Sequence, residues 1–94
     1  LSNLRSVGGD LYIRDNDGLA NLDGLAGLTS VGGALYIWFN DALTSLEGLD
    51  GLESVGSNLY IYNNDALCQS LVDAFVAGIT VTIGVSIYGN KDDC

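Results

Sequence analysis

The sequence predicts a mainly β chain: a β-solenoid of stacked 24-residue turns ending in a short C-terminal capping helix. Three observations predict it. The segments Val7-Gly8-Gly9-Asp10-Leu11-Tyr12-Ile13, Val31-Gly32-Gly33-Ala34-Leu35-Tyr36-Ile37 and Val55-Gly56-Ser57-Asn58-Leu59-Tyr60-Ile61 recur at a spacing of 24 residues, the self-similarity that marks repeat architectures. Each runs on to an asparagine and then a leucine: Asn16 and Leu19, Asn40 and Leu43, Asn64 and Leu67. Between them an apolar residue stands at every third position, Leu19, Leu22, Leu25, Leu28, Val31 and Leu43, Leu46, Leu49, Leu52, Val55.

The elements follow in order. Strands are expected near 11–13, 35–37 and 59–61, with Leu11 and Ile13 (and Leu35, Ile37, Leu59, Ile61) inward and Tyr12 and Arg14 outward, because strand side chains alternate. The glycine pairs before the strands supply corners where a positive φ is needed. The asparagine after each strand turns the chain, its side-chain amide bonding to backbone groups of that turn. The leucine-every-third segments suit 3₁₀ turns or extended legs with corners. One turn cannot bury its apolar stripe alone, so the three turns of residues 1–67 stack on a shared core.

Residues 68–94 depart from the repeat and read as a C-terminal cap. Leu71, Val72, Phe75 and Val76 have helical spacing, which places a helix near 69–77 with Gly78 just past its end. Ile79, Val81 and Ile83 alternate with Thr80 and Thr82 as a strand does. Val85-Ser86-Ile87-Tyr88-Gly89-Asn90 resembles a fourth strand-plus-asparagine, displaced by 26 residues from Ile61 to Ile87.

The string Leu-x-Ile-x-x-Asn-x-x-Leu, preceded by Val-Gly-Gly and followed by Leu-x-x-Leu-x-x-Leu, resembles the receptor L-domain type of leucine-rich-repeat-like solenoid. The resemblance covers residues 1–67, and the cysteine-bearing end looks like the C-terminal caps of such modules. It implies a right-handed leucine-rich-repeat-like β-solenoid used for extracellular binding, with no catalytic residues to carry over. The chain is shorter and poorer in cysteine than receptor L domains.

Composition narrows the function classes. Three basic residues against 12 acidic ones leave a net charge of −9, which argues against nucleic acid and anionic membrane surfaces. No apolar run reaches the roughly 20 residues of a membrane span, so no membrane insertion is expected. With no histidine, a serine or cysteine nucleophile lacks its ordinary base, and no phosphate-cradling G-x-x-x-x-G-K loop occurs. The chain is read as not an enzyme, with no cofactor. The Asp17, Asp41 and Asp65 column departs from calcium-loop spacing and is read as turn-forming, with no metal site.

Six of the eight aromatic residues fall on outward strand positions. Tyr12, Tyr36 and Tyr60 make one column; Arg14, Trp38, Tyr62 and Tyr88 make the next, with Phe39 beside it. Two readings stand: a cross-strand ladder that stabilises the sheet, or an exposed binding face for protein or sugar. Cys68 and Cys94 each follow an asparagine (Asn64, Asn90) by four residues, so one column would hold both, within disulfide reach at strand spacing. A disulfide there implies an extracellular or cell-surface location.

The N-terminal end opens on Leu1, Leu4, Val7, Leu11 and Ile13 with no preceding turn to cover them, whereas the helix covers the other end. Such an edge is a template for further pairing. The expected function is a non-enzymatic extracellular structural or adhesive module, acting through protein–protein contact or self-association, as a homo-oligomer or filament. The alternative is a carbohydrate-binding module that holds polysaccharide on the aromatic face.

Overall fold

The computed structural model describes residues 5–16 and 18–91. It is mainly β, with two parallel four-stranded sheets and one short helix. Strands come in pairs along the chain: β1 (Ser6–Val7) and β2 (Leu11–Arg14), β3 (Ser30–Val31) and β4 (Leu35–Trp38), β5 (Ser54–Val55) and β6 (Asn58–Tyr62), then α1 (Gln69–Ala77), β7 (Thr80–Val81) and β8 (Gly84–Tyr88). The first strands of each pair form one sheet, β1-β3-β5-β7, and the second strands form the other, β2-β4-β6-β8. Leu11 pairs with Leu35 and Leu35 with Leu59, whereas Leu59 pairs with Val85, two residues later than the earlier register requires.

Burial follows the alternation of the strands. Leu35, Ile37, Leu59 and Ile61 are fully buried, and the tyrosine and tryptophan between them are half-buried on the opposite face. Opposite the long sheet the threefold leucine spacing becomes 3₁₀ geometry at Asp23–Leu25 and Glu47–Leu49. Successive bonds run from Leu25 N–H to the Leu22 carbonyl and from Leu28 N–H to the Leu25 carbonyl, both 2.9 Å, and the same pattern repeats from Leu46 to Leu52. Because i and i+3 side chains eclipse in this geometry, Leu22, Leu25 and Leu28 all reach one core with Leu46, Leu49 and Leu52.

The glycines act differently from the expectation. The positive-φ glycine among the described residues is Gly89; the corner glycines Gly32 and Gly56 lie outside that region. They are needed for close approach instead: a Cβ on Gly56 would run into the Gly32 carbonyl, and one on Gly32 into that of Gly8. Gly48 likewise sits against the backbone of Leu22, while its counterpart Gly24 has open space above it.

The turn after each long strand is also made otherwise than expected. The left-handed residue is the one before the asparagine, at Asp15 (φ 55°), Phe39 (55°), Asn63 (57°) and Gly89 (72°). The asparagine amides are thereby freed to reach the neighbouring strand pair.

Beyond Leu67, α1 replaces the 3₁₀ turn and presses Val72 into the core, with Phe75 and Val76 packed beside it. Leu71, expected on the same apolar stripe, is exposed. Gly78 caps the helix in the right-handed region (φ −93°), its N–H donating to the Phe75 carbonyl while the following Ile79 N–H donates to that of Val76. The strand expected over 79–83 is confined to Thr80–Val81, and Ile83 is 68% exposed. The reason is pairing: β7 has only Ser54 and Val55 of β5 to pair with.

Candidate interaction surface

The parallel register places like side chains over one another, and the outward aromatics stack accordingly. The rings of Tyr12 and Tyr36 lie 4.3 Å apart at 4° between planes, and those of Tyr36 and Tyr60 lie 4.8 Å apart at 11°. In the second column Trp38 and Tyr62 are 4.8 Å apart and tilted by 34°, and Tyr62 and Tyr88 are stacked at 4.6 Å. Trp38 leans across to Tyr36 at 5.1 Å and joins the two columns. Phe39, at its left-handed position, meets the Tyr62 ring edge-on at 6.3 Å. Rings stacked this way cover each other's faces, so the middle of the surface presents ring edges and hydroxyls. Exposure is concentrated at the ends and margin, on Tyr12, Tyr88 and Phe39.

Arg14 closes the second column at the β2 end, its guanidinium carbon 5.6 Å from the Tyr12 ring centre and 6.0 Å from that of Trp38. A cation at this range is attracted by the ring quadrupole. Desolvation within the ladder raises the Tyr36 phenol above its ordinary value of 10.0, helped by the hydrogen bond with Tyr12 and by the nearby charges of Tyr12, Asp10 and Tyr60. Tyr62 is raised for the same first reason, with Tyr88 and Tyr60 adding to it.

Beneath the surface a second column fixes the spacing. Asn16 Nδ2 donates to Asn40 Oδ1 at 3.0 Å, Asn40 Nδ2 to Asn64 Oδ1 at 3.1 Å, and Asn64 Nδ2 to Asn90 Oδ1 at 3.1 Å. Each Oδ1 also accepts the backbone N–H of the preceding asparagine, at 3.1–3.3 Å. Each amide reaches back to a strand carbonyl, Asn40 to Ile13, Asn64 to Ile37 and Asn90 to Ile61. Asn40 and Asn64 are fully buried. Sequence reasoning assigned these asparagines to local turns; their signal was the constant spacing, which a local turn does not demand.

The two ends of the sheets differ from expectation in one respect. At the β2 end, Leu11, Ile13, Leu19, Leu22 and Leu25 line a hollow of about 290 Å³. At the β8 end apolar residues are open as well: Val85, in register with the fully buried Leu59, is 44% exposed. A hollow lies between Ser45, Leu46, Glu47 and Asp50 and the helix residues Leu71, Ala74 and Phe75.

The remaining expectations fall as follows. Asp41 and Asp65 are exposed, and Asp17 lies outside the described residues. No group of three or more metal-ligating side chains occurs among the described residues. Leu1, Leu4 and Cys94 also lie outside them, and with Cys94 the proposed Cys68–Cys94 bond. Cys68 forms an isolated parallel bridge with Lys91. No helix among the described residues is long and apolar enough to cross a membrane. The chain matches no protein-family model, no curated protein and no solved structure.

Proposed function

We propose that the chain is a leucine-rich-repeat-like β-solenoid with 24-residue turns that acts outside the cell as a non-enzymatic structural or adhesive module, through protein–protein contact. The observation that carries this reading is the apolar hollow beside β2, which inward leucines line. An apolar hollow on a well-packed scaffold is a surface suited to another polypeptide.

The carbohydrate alternative is disfavoured by one geometric fact. Sugars pack on aromatic faces, and in both columns the faces turned toward a neighbouring ring are covered at 4.3–4.8 Å, which leaves only the end rings Tyr12 and Tyr88 half-exposed. A glycan array tests the choice. No saturable binding is expected; saturable binding that is lost in Trp38→Ala would replace the protein-contact reading with the sugar-binding one.

A further inference from the structure

We infer that the hollow between the Glu47–Leu49 turn and α1 takes one apolar side chain of a cationic polypeptide, whose lysines or arginines pair with Glu47 and Asp50. This surface shares no residue with the hollow beside β2.

The walls come from two interior segments of the chain, residues 45–50 and 71–75. The 3₁₀ turn sends Leu46, Leu49 and Leu52 into the core, and Ser45 Oγ accepts the Glu47 N–H at 3.0 Å where the turn begins. The next element is α1, which buries Val72. Leu71, Ala74 and Phe75, at i, i+3 and i+4, share one face of that helix and line the hollow together with Leu46. An α-helix and a 3₁₀ turn differ in rise and in side-chain spacing, so their side chains fall out of step. A hollow of about 200 Å³ remains between them. Leu46 is 4% exposed and Leu71 is 45% exposed, so the floor is closed and the helix side is open.

Size sets the anchor. Pockets for small molecules run to roughly 300–1,000 Å³, and this smaller hollow suits a single leucine- or phenylalanine-sized side chain with the rest of the partner outside. An aliphatic or aromatic anchor seated in a pocket is the usual centre of a protein contact. Charge sets the flanks. Glu47 and Asp50 line the same hollow, both are exposed, and neither carboxylate has a hydrogen bond or ion pair. The three basic residues of the chain, Arg5, Arg14 and Lys91, are absent from the lining, and Arg14 is held over rings of the long sheet. Asp23, one turn back from Glu47, is exposed as well. On a chain of net charge −9, this rim repels an acidic partner and draws a basic one.

An amide NMR titration of the folded protein tests this, with a synthetic pentapeptide that carries one phenylalanine between two pairs of lysines. One control peptide has alanine in place of the phenylalanine, and the other has glutamates in place of the lysines. The expected result is saturable shifts centred on residues 45–50 and 71–75. The alanine peptide should bind at least about fivefold more weakly, and the glutamate peptide should not bind. Glu47→Gln combined with Asp50→Asn should weaken binding about threefold or more. Leu71→Ser, at an exposed position, should weaken it too. Asp41→Asn, which removes an exposed carboxylate outside the hollow, should leave the affinity unchanged. No binding, shifts spread over the other acidic surfaces, equal affinity for the alanine peptide, or a loss in Asp41→Asn as large as in the double variant overturns the proposal.

Discussion

Asn90 Nδ2 donates to Gln69 Oε1 at 3.3 Å, so a glutamine carbonyl stands where each earlier asparagine meets the carbonyl of the next. Gln69 is the first residue of α1, and the helix thus ends the asparagine column while it packs Val72 into the core. At the opposite end Asn16 is exposed. The column has a finished end and an open one.

The buried members of that column should matter most. Asn64→Ala strands the Ile37 carbonyl and the Asn40 amide without their partners. Leaving buried polar groups unsatisfied costs about 1–3 kcal/mol each, so a loss of at least about 2 kcal/mol is expected. Asn16→Ala, at the exposed end, should cost less than half as much. Urea unfolding midpoints of the two variants decide it.

Gly48→Ala should destabilise the protein by about 1–3 kcal/mol, the range for overpacking, because a methyl there meets the Leu22 backbone. Gly24→Ala makes the same chemical change where there is open space, and should be neutral within measurement. Equal effects on thermal unfolding would mean that the two 3₁₀ segments are not stacked as described.

Alkaline pH should loosen the fold through Tyr36 and Tyr62. Both phenols are raised above the ordinary 10.0, so folding favours their protonated form. Their contribution is fully present below the unfolded value and is lost as pH rises through the folded values, since the unfolded chain gives up these protons first. Tyrosinate absorbance should show late-ionising phenols in the folded protein, with part of that late signal missing in Tyr36→Phe and in Tyr62→Phe.

A disulfide between Cys68 and Cys94 is expected, closing a loop from residue 68 to residue 94 and stabilising the fold by roughly 3–4 kcal/mol in the chain-entropy model. Intact mass measured before and after reduction checks it. Two thiols that alkylate freely without reductant would remove the bond and, with it, the main argument for an extracellular setting.

Much of the framework was legible in the residues. The recurrence of Leu11, Leu35 and Leu59 anticipates their pairing because a parallel ladder carries a constant sequence offset, and their alternation with tyrosine anticipates which side is buried. What was not legible depends on contacts between strand pairs. An asparagine after a strand is a common turn former, and only the neighbouring strand carbonyl reveals that Asn40 and Asn64 are buried donors. Gly32 and Gly56 carry the same ambiguity, since a glycine kept for closeness to the next backbone looks identical to one kept for its torsion angle. Gln69 had no signal at all, because it occurs once and outside the repeat. The aromatic columns were legible as columns, but whether the rings offer their faces or their edges is a matter of side-chain rotation.

The asparagine column also has a direction. In every step the NH₂ group points toward the higher-numbered neighbour and the oxygen toward the lower-numbered one. The amide dipoles therefore add, and each one polarises the next in a low-dielectric interior. The molecule carries an internal electric axis from a partly negative pole at Asn16 to a partly positive pole at Asn90, where the Gln69 carbonyl neutralises it. At the Asn16 pole that field favours an approaching hydrogen-bond donor over an acceptor.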